Sequence, residues 1–81
     1  MSRRIKIRDS DTGNSVEMDV EDDNTIEEII ESAASYWDKE AGAYVLRHGK
    51  RVLRGQVSTK DANIQDNDLL ELIPDPEGGS W

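Results

Sequence analysis

Only one stretch of the chain carries a helical repeat. Ile26, Ile29, Ile30, Ala33 and Trp37 recur at spacings of three and four, so they fall on one stripe of a helix, with Glu27, Glu28, Glu31 and Asp38 off it. Thr25, with Glu28 three residues on, has the form of a capping box, and Gly42 is the expected stop. Everything else that is apolar alternates with a period of two or sits in short runs. A single one-faced helix among strands has one economical solution, which is to lie across one face of a sheet.

The strands read as follows. In "RRIKIRD" Ile5 and Ile7 face one way and Arg4, Lys6 and Arg8 the other; in "SVEMDVE" Val16, Met18 and Val20 point inward and Glu17, Asp19 and Glu21 outward. The "DTGN" between them is a turn centred on Gly13, so the two runs predict an antiparallel hairpin whose outward rows carry opposite charges and pair across the strands. After the helix, "AYVLRHGKRVLRG" predicts a short strand, a turn at Gly49–Lys50 and another short strand. "QVSTKDANIQDND" is a polar, turn-rich loop anchored by Ile64, and "LLELI" is a last strand that Pro74 ends. The expectation is an α+β domain over residues 1–73, a mixed sheet of four to five strands packed on one helix, followed by a tail over residues 74–81. Its predicted core is Ile5, Ile7, Val16, Met18, Ile26, Ile29, Ile30, Trp37, Val45, Ile64, Leu70 and Leu72.

Composition narrows the function. There is no cysteine, hence no disulfide, no thiolate metal site and no thiol nucleophile. His48 is the only histidine and has no partner for a metal; it reads as a surface residue. No Ser-His-Asp set, P-loop or GxGxxG motif is present, and the carboxylates lie on outward rows or loops, so neither an enzyme nor a cofactor is expected. A net charge of −8 repels nucleic acid and anionic membranes and favours a basic partner. With no apolar run behind "MSRRIKIRD", a signal peptide or membrane span is not expected, and the reading is a cytoplasmic monomer.

The chain ends in "PDPEGGSW", two prolines and a glycine pair that suit neither helix nor strand but do suit a tail gripped in extended form. With "DTGN" in the first hairpin, "DNTIEEII" opening the helix and "LRHGKRVLRGQVSTKDANIQDNDLLELI" after it, the chain resembles ubiquitin and its β-grasp relatives over most of residues 4–79. The resemblance implies a protein modifier made as a precursor, cut between Gly79 and Ser80 by a processing protease such as a JAMM-type metalloprotease. Gly78 and Gly79 would then enter the slots of activating-like and conjugating-like enzymes, and the Gly79 carboxylate would be adenylated, passed to a thioester and joined to amines of target proteins. A non-covalent interaction module and a sulfur carrier are the alternatives.

Asp75, Pro76 and Glu77 stand where ubiquitin's tail is basic and leucine-containing, which implies a cognate enzyme with a basic groove, as in archaeal or bacterial ubiquitin-like systems. The family's docking patch maps onto Leu46 and Ile73, with His48 beside it and Asp11 where a leucine is usual. These are expected to be exposed. Lys6, Lys39, Lys50 and Lys60 are the candidate acceptors for chain linkage, with Lys50, next to the turn glycine, in the position of a chain-linking lysine.

Overall fold

A computed structural model describes residues 2–75. Strands β1 (Arg3–Asp9) and β2 (Ser15–Val20) form the predicted hairpin, in the register Arg4↔Asp19, Lys6↔Glu17 and Ile5↔Met18. Arg4 Nε reaches Asp19 Oδ1 at 3.1 Å, so the outward rows do pair by charge. Helix α1 (Ile26–Tyr36) follows, then a 3-10 turn (Ala41–Ala43), β3 (Tyr44–His48), β4 (Arg51–Leu53) and β5 (Leu69–Pro74). The sheet order is β2-β1-β5-β3-β4, with β5 parallel to β1 and antiparallel to β3. It is the expected mixed sheet on one helix.

The helix starts where its sequence says. The Thr25 hydroxyl accepts from the Glu28 N–H at 3.1 Å, and the Glu28 carboxylate accepts from the Thr25 N–H at 2.9 Å, a reciprocal capping box. Those hydrogen bonds, from the Thr25 N–H first and the Asn24 amide second, hold the Glu28 carboxyl below its ordinary range.

It ends earlier than Gly42. Trp37 is the C-cap, Asp38 takes the left-handed conformation (φ 58°), its N–H donates to the Ser35 carbonyl at 3.2 Å, and the Lys39 N–H donates to the Ala34 carbonyl at 2.8 Å. That is a Schellman closure with aspartate where glycine is usual. A left-handed L-residue costs about 1–2 kcal/mol, part of which Asp recovers. Asp38→Gly is therefore expected to raise unfolding stability by about 0.5–1 kcal/mol. An unchanged midpoint in urea would remove the strain from the account.

The core lies between α1 and one face of the sheet. Ile5, Ile7, Ile26, Ile29, Ile30, Ile64, Leu70 and Leu72 are buried in it as predicted, and Val20, Ala33, Leu46, Leu53 and Ala62 join them. Val16, Met18 and Trp37, predicted as core, are only partly buried and pack against its edge.

Two neighbours in β3 are both buried, Val45 as predicted and Leu46 against expectation. Leu46, expected on the exposed patch, is 0% exposed and is opposed by buried Leu53 and Leu72. Val45 is also buried (2%) but stands outside that core cluster, paired with Ile73 across β5. The register sets this: Gly49 has φ 63°, as the first position of a two-residue hairpin loop requires, and this closes β3 on β4 with His48 opposite Arg51, so that Leu46 shares a face with Leu53 and, across β5, with Leu72. A slip of one residue would put Leu46 outward and Val45 inward.

Candidate functional site: the outer sheet face and the C-terminal exit

Alternation sends the even-numbered residues of β3 and the core residues of β5 toward the helix. Val45, Arg47, Val52, Leu69, Glu71 and Ile73 are left on the opposite face. Leu69 (54%) and Val52 (43%) are exposed, and Ile73 is half-buried. Glu71 lies between Leu69 and Ile73, accepting from Arg8 Nη1 at 3.0 Å on one side and from Arg47 on the other. The face is thus not a continuous apolar patch. It is apolar points divided by an Arg–Glu–Arg bridge, with one more cation than anion in that bridge although the whole chain is strongly acidic.

The predicted patch of Leu46, His48 and Ile73 does not come together. Leu46 is interior. His48 shares its facing, at the end of β3, where Nε2 lies 2.9 Å from Asp68 Oδ2. Only Ile73 stands on the outer face, and its neighbours there are Val45, Glu71 and the side chains that flank them. Lys50 is exposed at the β3–β4 turn, as expected. Gly78, Gly79 and Ser80 lie outside the described residues.

The C-terminal exit is described as far as Asp75. β5 runs through Pro74, opposite Tyr44; the Asp75 N–H then donates to the Ala43 carbonyl at 2.9 Å, and its carboxylate takes Arg54 at 3.2 Å. Beside this exit is a cleft of ≈ 350 Å³ lined by Ile30, Tyr44, Val45, Arg54 and Asp75 among others, with Glu27 and Glu31 on its rim.

One cluster was not foreseen. Asp9, the last residue of β1, is 1% exposed. Its Oδ1 accepts from the Asp11 N–H at 2.9 Å, its Oδ2 accepts from the Thr12 hydroxyl at 3.3 Å, and Lys39 Nζ lies 3.4 Å from the same Oδ2. Burial pushes this carboxyl up, but the Asp11 N–H, Lys39 and Thr12 together outweigh it and hold it below its usual range. For Lys39, desolvation lowers and the hydrogen bonds to Asp11, Asp9 and Tyr44 raise; the net direction is upward. The spacing D-x-D-T, an aspartate with donors two and three residues later, was the available signal.

Among the described residues no group of three or more His, Cys, Asp or Glu side chains could hold a metal, and no helix is long and apolar enough to cross a membrane. No protein-family model matches the chain, and no curated protein matches it. Solved structures do. A de novo design based on ubiquitin is 28% identical with a TM-score of 0.84, over 99% of this chain and 96% of that one. Ubiquitin of Caldiarchaeum subterraneum is 20% identical, also at 0.84, over 98% and 100%. Element order, mixed sheet and these likenesses agree: the chain has the ubiquitin-like β-grasp fold.

Proposed function

We propose that this chain is a ubiquitin-like protein modifier, trimmed after Gly79 and joined through that glycine to amines of target proteins. One observation carries the reading. β5, the central strand of a ubiquitin-like β-grasp sheet, delivers the chain outward at Asp75, and the Gly78–Gly79 pair follows at once in the sequence. Gly79 is four positions beyond Asp75, a reach of at most about 14 Å. The globular body therefore stays close to whatever enzyme holds the glycines.

The chemistry is acyl transfer at a carboxylate the protein carries but does not activate. While Ser80 and Trp81 remain, the Gly79 carbonyl is an amide and cannot be adenylated. Cleavage after Gly79 exposes the carboxylate; an activating-like enzyme joins it to the AMP of ATP with loss of pyrophosphate, and an enzyme thiolate then attacks the acyl carbon to form a thioester as AMP leaves. A target amine attacks the thioester carbonyl, a C–N bond forms, and the thiolate leaves. Acidic Glu77 favours enzymes with a basic groove, and a processing protease completes the set of partners.

Intact-mass analysis of the protein from its native host, with a search for Gly-Gly remnants on lysines of other proteins, tests this. The expected result is a chain ending at Gly79 together with such remnants; Gly79→Ala keeps the fold and loses them. Full-length protein alone, without conjugates, sinks the modifier reading. That outcome would leave a non-covalent module docking through Ile73, Val52 and Leu69, a reading the exposed apolar points already favour as the second choice. A thiocarboxylate at Gly79 without conjugates would move the chain to the sulfur-carrier branch.

A further inference from the structure

The side-chain amines of this chain are Lys6, Lys39, Lys50 and Lys60, and the fold does not treat them alike. Lys6 is exposed on β1, Lys50 in the two-residue hairpin turn, and Lys60 in the loop after β4. Lys39 is held. Its side chain is 17% exposed, its Nζ lies 3.4 Å from Asp9 Oδ2 and 3.3 Å from Asp11 Oδ2, and the ammonium sits 5.1 Å from the centroid of the Tyr44 ring. Its own backbone N–H closes the end of α1 on Ala34, so the stem starts from a fixed point.

We propose that Lys39 is withdrawn from acceptor chemistry and acts as the tether between the β1–β2 loop and the end of α1, leaving Lys6, Lys50 and Lys60 as the side-chain amines at which this chain is modified. An amine attacks an acyl carbon through its lone pair. Lys39 must first leave two carboxylates and an aromatic face and give up a proton that those carboxylates stabilise. It must also swing out from beside Asp9, which has no solvent-facing side from which to be rehydrated. Lys50 and Lys60 meet neither barrier. The proposal concerns the chain as an acceptor and does not depend on its being a modifier itself.

The test is limited acylation of the full chain with the N-hydroxysuccinimide ester of acetic acid near neutral pH, read site by site by peptide mass spectrometry. At each lysine the amine forms a C–N bond to the acetyl carbon, N-hydroxysuccinimide leaves, and the ammonium proton goes to buffer. In the folded protein Lys39 is expected to react about tenfold more slowly than Lys50 and Lys60, since two charge-assisted hydrogen bonds must open first. In concentrated guanidinium chloride the sites should react alike. Asp11 is exposed, so Asp11→Asn should keep the circular dichroism of the wild type while raising the Lys39 rate several-fold. Native Lys39 reacting as fast as Lys50 and Lys60 overturns the proposal, and so does a folded Asp11→Asn variant whose Lys39 rate does not move.

Discussion

Leu46→Ala should destabilise the protein by about 2–5 kcal/mol, the range for deleting a fully buried leucine side chain from a packed core. Leu46 is 0% exposed and sits where β3, β4 and β5 all present leucines to the helix, so the vacated volume has rigid walls on several sides. Ile73→Ala, on the other face and half-buried, should lose under about 1.5 kcal/mol, and its larger effect should be on partner capture. Urea unfolding of both variants decides the face of β3. Equal small losses would restore Leu46 to the surface, where the resemblance to ubiquitin first placed it.

Replacing Asp9 should produce the second-largest loss and change its pH dependence. Asp9→Asn leaves a buried side chain that cannot offer two acceptor oxygens to the Asp11 N–H and Thr12 hydroxyl, nor a charge to Lys39, at a cost of about 1–3 kcal/mol. The sign follows from linkage. The Asp9 carboxyl is held below its ordinary value, so its contribution is complete above the unfolded-state value of about 4 and disappears as pH falls through the lower, folded one. Lys39 is shifted upward, so its contribution is complete below about 10.4 and is lost only as pH rises beyond that. The tie is intact at neutral pH. Stability measured from pH 6 down to pH 2 should therefore fall less in Asp9→Asn than in the wild type. Parallel acid limbs would show that Asp9 is not the carboxylate responsible.

How much of this was legible depends on which side chains announce their surroundings. The hairpin of β1 and β2 was readable because charge and hydrophobicity alternate without a break from Arg4 to Arg8 and from Val16 to Glu21. The start of α1 was readable because Thr25 and Glu28 leave few other uses for that spacing. The facing of β3 was not. "YVL" is apolar at each position, so periodicity says nothing, and the pairing of Leu46 with Leu53 and Leu72 across the neighbouring strands is what shows which residue meets the helix. The end of α1 was misread because Asp38, not a glycine, takes the left-handed position. Asp9 was hidden by its own type: a charged residue beside a loop reads as exposed until its donors, Asp11, Thr12 and Lys39, are seen to replace water. Of the candidate site, the strand leading to the tail was legible, but the partition of the outer face by Arg8, Glu71 and Arg47 required knowing which strands are neighbours.

The placement of β5 has a mechanical consequence. Tension applied at the C-terminal end of β5 enters the fold along the axis of this strand. β5 is not at an edge, so it cannot peel off one bond at a time; the parallel ladder to β1 and the antiparallel ladder to β3 bear the load side by side, in shear. The same strand supplies Leu70 and Leu72 to the core, so slippage by one residue would drag both leucines onto the solvent face. A pull on the end of β5 is therefore opposed by two ladders and by the core at once.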